Sequence, residues 1–143
     1  MSKVSIEEMN AFFASAFHSD KDMIPEITHV ETDHVVMRAK MSKFNLRPGG
    51  SISGPTQMAL ADHIAYALIF TRLGITPMAV TSNLNIDFLR PLFGDFVIIE
   101  GRTIKFGRTL AVTKVEIRAE NSEKLSSQST VTYVLPRADR QLN

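Results

Sequence analysis

Apolar residues recur at Met9, Phe12, Phe13, Ala16 and Phe17, the spacing of one helix face, and Ser5 and Glu8 stand ahead of them in capping-box spacing. The pattern predicts a first helix over about Ile6 to His18. "EITHVETDHVVMRAKMS" is rich in Val, Ile and Thr around a polar break at Thr32-Asp33, which predicts two short strands in a hairpin. "RPGGSISGP" clusters Pro, Gly and Ser and reads as a loop. Beyond it "GPTQMALADHIAYALIF" is apolar nearly all round. Pro55 suits the first helical position, Ser53 or Gly54 the cap, and Gly74 with Pro77 the stop, so a long helix is expected from about Pro55 to Leu73.

From Met78 the period changes to two. "MAVTSNLNIDFLRP" sets Val80, Ser82, Leu84, Ile86 and Phe88 on one face, with Pro91 closing the run. "DFVIIEGRTIKF", "TLAVTKVEIRAE" and "KLSSQSTVTYVL" follow, parted by Gly107-Arg108 and by Asn121-Ser122-Glu123. Short connections imply consecutive antiparallel strands. Helices and strands are segregated, an α+β pattern. A helix apolar on most sides needs cover on most sides, which a curved antiparallel sheet wrapped on it supplies. One protomer would still leave part of that surface bare, which favours a dimer.

Composition narrows the function classes. The chain has 143 residues, 44% of them hydrophobic and 22% charged, which suits one domain over 1–143 with a polar tail at about 137–143. A net charge of +1 with interspersed signs leaves no electrostatic footprint for nucleic acid or an anionic membrane. There is no cysteine, so disulfides and thiol nucleophiles are excluded. The start "MSKVSIEEMN" lacks a basic-then-apolar signal pattern, and the apolar run is too short for a membrane span and carries a charge. A soluble, cytoplasmic protein is the expectation.

That charge is Asp62, set among Met58, Leu60, Ile64, Leu68 and Phe70. A buried carboxylate costs several kcal/mol unless something offsets it, and such groups gather at active sites. Upstream, the first N–H groups of the long helix lack internal partners, and Gly54 has no side chain to block approach to them. A free N–H there can hold a developing oxyanion. Eight residues separate Gly54 from Asp62, about 12 Å along the axis, too far for both to reach one carbonyl. An antiparallel partner would bring its own Asp62 to Gly54.

Other candidates are weaker. His63 adjoins Asp62 in sequence but points about 100° away. His18, His29 and His34 show no ligand-like grouping with acids, so no metal site is expected. Tyr66, one turn beyond Asp62, either lines a substrate pocket or packs in the core. Ser126, Ser127 and Ser129 read as one face of an edge strand. Arg90 and Arg108, near strand ends, are candidates for anionic groups of a ligand.

"SGPTQMALAD", "TSNLNIDFLRPLFGD" and "GRTLAVTKVEI" together resemble the hotdog-fold thioesterases, and within them the phenylacetate-pathway type of acyl-CoA thioesterase. The resemblance covers about residues 30 to 135. That family opens its long helix with His-Gly-Gly and places an acid nine positions after the His. Ser53, Gly54 and Pro55 stand at the three positions here, and Asp62 falls in register. The resemblance implies Gly54 N–H as oxyanion donor and Asp62 of the opposite subunit as nucleophile or general base. It also implies an acyl-CoA substrate with CoA as its only cofactor-like part, a homodimer and a homotetramer. Ser53 for His, Pro55 for the second Gly, and Arg47 where the family often has Asn are departures. Ser53, Arg47, Tyr66, Arg90 and Arg108 are the expected substrate contacts. The Ser53 departure leaves a non-catalytic acyl-CoA-binding module as the alternative, while a dehydratase would need a His paired with the acid.

Overall fold

The structure, a computed structural model, describes residues 1–16 and 24–137. Helix α1 spans Ile6–Ala16, and its capping box forms as expected. Glu8 N–H donates to Ser5 Oγ at 3.1 Å, and Ser5 N–H donates to the Glu8 carboxylate at 3.3 Å. The expected last residues of that helix, Phe17 and His18, lie outside the described residues, as does most of the polar tail. Strands β1 (Glu26–Glu31) and β2 (His34–Lys40) pair as the hairpin, with Asp33 in the left-handed region at φ 67° in the turn. Arg72 grips Asp33 through two bonds of 2.9 and 2.7 Å, tying the hairpin to the long helix. A short 3-10 turn, Lys43–Asn45, then leads to the loop.

Helix α2 runs Gly54–Leu73, capped by Ser53 and ended at Gly74, whose φ of 82° suits a residue without Cβ. Ile64, Leu68, Ile69 and Phe70 are fully buried. Each contributes about 2 kcal/mol by leaving water. Strands β3 (Val80–Phe88), β4 (Phe96–Phe106), β5 (Leu110–Ala119) and β6 (Ser127–Val134) complete a six-stranded antiparallel sheet. It curves round α2 in the hotdog arrangement. Gly101 on β4 permits the close approach, since a Cβ there would meet Leu68 Cδ1 at 2.9 Å and Ile64 Cδ1 at 3.3 Å.

Two expectations are corrected by the topology. The strand order is β1-β2-β4-β5-β6-β3, so β3 pairs with β6 and not with the strand that follows it. The segment between β3 and β4 therefore crosses from the edge to the middle of the sheet. β6 is in consequence an inner strand, and Ser126, Ser127 and Ser129 are buried rather than lined along an edge. The alternation in β3 also breaks. A register shift between Thr81 and Asn83 sets Ser82 in a bulge. Leu84 and Ile86 keep the inward face, but Thr81 turns inward in place of Val80, opposite buried Tyr133.

The two edges of the sheet differ. At β1, Asn10 of α1 donates to Ile27 O and accepts from Ile27 N–H at 3.1 and 2.9 Å, covering the backbone groups of that residue. Among the described residues no strand lies beyond β3, and Val80, Phe88 and Leu89 are at least half exposed along or just past it. An uncovered strand edge is a template for pairing.

Candidate active site

The first cluster is at the start of α2. Ser53 Oγ accepts from Thr56 N–H at 3.3 Å and meets Thr56 Oγ1 at 2.8 Å. Ser53 thus serves as helix cap. Gln57 N–H bonds to Ser53 O, and Pro55 has no N–H. The N–H left at this end is that of Gly54, which donates to no acceptor among the described residues. The ring of Phe88 lies against Gly54, where a Cβ would meet Phe88 Cζ at 3.1 Å. A groove of about 480 Å³ opens here, lined by Arg47, Gly54, Gln57, Phe88, Arg90 and neighbouring residues. Arg90 donates to Leu125 O, which orients its guanidinium beside the groove.

The second cluster surrounds Asp62, two turns on. Its Oδ1 accepts from Tyr133 OH at 2.9 Å and from the Thr81 hydroxyl, and Tyr133 OH also reaches Asp62 O at 3.1 Å. No bond to Oδ2 forms among the described residues, so one oxygen is fixed and the other stays available. Burial first, with the Asp62 charge adding to it, pushes the Tyr133 phenol above its ordinary 10.0, so Tyr133 remains a donor. Asp62 itself is half-buried. Its place in an apolar helix is explained by these two donors on one side and an open approach on the other. Thr81 and Tyr133 went unnoticed in the sequence, because only strand register brings them to Asp62.

Gly54, Arg47 and Arg90 thus share one groove, beside Ser53, while Asp62 belongs to a separate cluster on the same chain. Arg108 is at neither. It precedes Leu110, which pairs with Val134, itself the partner of Val80, so Arg108 stands at the Asp62 end of the sheet. Tyr66 does not line the groove. Its hydroxyl donates to Pro77 O at 2.8 Å, and its ring packs on Phe70 at 4.7 Å and stacks over Tyr133 at 5.9 Å. Tyr66 holds the chain leading into β3. His63 faces away from Asp62 as expected, its ring 4.2 Å from that of Phe13, and lines a second cavity of about 380 Å³ with Pro55, Thr56 and Leu60. Burial lowers its pKa to about 4, against the pull of the Asp62 charge, so the ring is neutral near pH 7. His29 and His34 do meet an acid, contrary to expectation: with Glu31 they form one group on the outer face of the sheet.

Thus an open helix N–H lies at one end of α2 and a hydrogen-bonded carboxylate further along it. The chain belongs to the thioesterase superfamily, whose family model matches residues 49–126, both clusters' helix residues included. It is a thioester hydrolase. A candidate thioesterase from Silicibacter sp. is 33% identical, with a TM-score of 0.86 over 95% of this chain and 94% of that one. A hypothetical thioesterase from Streptococcus pneumoniae, solved with coenzyme A, is 22% identical with a TM-score of 0.73, covering 93% and 98%. A phenylacetic acid degradation protein from Thermus thermophilus is 23% identical with a TM-score of 0.69, covering 80% and 95%. The last two share the fold. Among the described residues no helix is long and apolar enough to cross a membrane.

Proposed function

We propose that the protein hydrolyses acyl-CoA thioesters at two sites, each completed by residues of two subunits. The observation that carries this reading is the position of the two clusters relative to β3. Asp62 is bonded to Thr81 near the start of that strand, and Gly54 lies under Phe88 at its end. Pairing β3 antiparallel with its copy exchanges the ends. Register centred between Leu84 and Asn85 sets Thr81 opposite the partner's Phe88, and so brings Asp62 toward the partner's Gly54. The uncovered β3 edge favours that pairing, while on the β1 edge Asn10 already occupies the backbone groups of Ile27. A homodimer is the minimal unit of this reading, and a homotetramer is a pair of such dimers.

In the shared site the thioester carbonyl lies at the N-terminus of α2. Gly54 N–H, free of protein acceptors among the described residues, stabilises the oxyanion as it develops. Asp62, held through Oδ1, takes a proton from water at Oδ2 as the water oxygen bonds to the carbonyl carbon, and that proton later passes to the departing thiolate. Collapse of the intermediate breaks the C–S bond and releases CoA thiolate and a carboxylic acid. Fixing one carboxylate oxygen while leaving the other available suits a general base better than a nucleophile that must swing. In this reading Arg47 and Arg90, which line the groove beside Gly54, hold the CoA phosphates through charge-assisted contacts together with the partner's Arg108. The coenzyme A bound to the Streptococcus pneumoniae protein is consistent with that substrate class.

The test is turnover of a panel of acyl-CoA thioesters by the wild type beside Asp62→Asn. The variant keeps the shape and loses the base, so hydrolysis should fall by a factor on the order of 10² or more while acyl-CoA binding persists. A wild type that binds the panel and hydrolyses none of it would show instead that Ser53 marks a binding module without chemistry.

A further inference from the structure

We propose that His29, Glu31 and His34 bind one divalent transition-metal ion of the zinc type, with Glu100 as the fourth ligand. The donors lie on the outer face of the sheet, away from α2. A bulge between Ile27 and His29 turns the His29 side chain outward, so that His29 and Glu31, two residues apart on β1, share one face. Glu31 pairs directly with His34 on β2, and Val36, next outward on β2, pairs with Glu100 on β4. Three donors therefore gather on two adjacent strands, and Glu100 on the third strand is bonded to one of them, His34.

The distances fit a small ion. One ligand atom from each of His29, Glu31 and His34 lies within 4.8 Å of the other two. His29 Nε2 is 3.0 Å from Glu31 Oε1, and His34 Nε2 is 2.8 Å from Glu100 Oε2. Ligands about 2.1 Å from a tetrahedral ion stand roughly 3.4 Å apart, so the three grouped donors need only contract around a common centre, with Glu100 reached through its contact with His34. The two imidazole rings already stand 5.0 Å apart by their centroids. Two imidazoles select zinc, nickel, cobalt or copper over calcium and magnesium, which take oxygen ligands. Two carboxylates balance the charge of a divalent ion. Among the described residues Arg102, 3.5 Å from Glu100, is the one cation bonded to the group, and it opposes the ion rather than serving it. His34 is the best-buried donor at 18% side-chain exposure, while Glu31 at 66% leaves an entry path. A bound ion would staple β1, β2 and β4 on the face opposite α2.

Calorimetry on chelator-treated full-length protein, titrated with zinc, tests the proposal, with cobalt absorbance as the second readout. One ion per chain should bind with an affinity of about micromolar or tighter, and cobalt should give the visible bands of a four-coordinate site. His29→Ala and His34→Ala should each weaken binding by about 100-fold or more. Arg102→Ala should tighten it. Circular dichroism checks the fold of each variant, and His29, on the edge strand, carries the test if His34→Ala unfolds. Absence of stoichiometric binding in the wild type would overturn the site. So would wild-type affinity in the His29→Ala/His34→Ala double variant, which would place the ion on other residues.

Discussion

Thr81 donates its hydroxyl hydrogen bond to Asp62 Oδ1, joining the open edge strand of the sheet to the middle of its central helix. That bond and the one from Tyr133 fix the carboxylate, so their loss should appear in the chemical step. Thr81→Val keeps the shape and removes the donor. Its kcat should fall by about 10-fold with KM little changed, and Thr81→Ser should restore most of the rate. If Thr81→Ser were as slow as Thr81→Val, the methyl packing of Thr81 would matter and its hydroxyl would not.

The shared-site geometry makes a mixing prediction. Asp62→Asn disables one half-site, and Gly54→Val disables the other by filling the space under Phe88 and barring approach to the N–H. Each homodimer should be nearly inactive. A heterodimer of the two variants unites a native Gly54 with a native Asp62 at one of its two sites. Mixing and reassociating the variants should therefore regain activity that neither shows alone. Steady-state turnover after refolding the mixture measures this. No gain, with heterodimers verified by tag purification, would place both groups of each site on one chain.

Gly101 sets the distance between β4 and α2. Any Cβ would stand within 2.9 Å of Leu68 Cδ1, and a branched side chain would press on Ile64 as well. Gly101→Val should cost about 1–3 kcal/mol by overpacking, read from the midpoint of urea unfolding. Leu68→Ala combined with Gly101→Val should recover part of that loss, because it vacates the contested volume. Two losses that simply add would show that the strand itself, and not the helix contact, rejects the side chain.

What was legible in the chain was local. Ser53, Pro55 and Gly74 punctuated α2 correctly within a residue, and the Thr32-Asp33 break located the hairpin. The acid in the apolar helix drew attention to Asp62, and the structure gives that carboxylate two hydroxyl donors. What was hidden depends on pairing between distant strands. Nothing near Thr81 announces the bulge that turns it toward Asp62, and the two-residue period alone pointed Val80 inward instead. The Phe88 ring over Gly54 and the meeting of His29 with His34 are likewise products of register, not of spacing. Tyr66 shared a helix face with Asp62 as the 3.6-residue period requires, yet its hydroxyl was drawn to Pro77 O, an acceptor on another segment.

His63 makes the fold sensitive to acid. Burial lowers its pKa from 6.5 to about 4, so between those values the unfolded chain binds a proton that the folded chain does not. Stability therefore rises with pH across that window and falls as the solution is acidified through it. At roughly 1.4 kcal/mol for each pH unit of difference, the loss from this group is on the order of 3 kcal/mol by the lower end. The neutral ring rests 4.2 Å from Phe13, so an apolar side chain is compatible with the site. His63→Leu should flatten the dependence of unfolding free energy on pH between pH 6.5 and about 4, measured by urea denaturation at several pH values. Asp33 acts outside that window. The Arg72 guanidinium holds its pKa below the ordinary 3.8, so its contribution is present above that value and fades only beneath it. A His63→Leu variant with the wild-type slope would mean that the acid loss arises elsewhere in the chain.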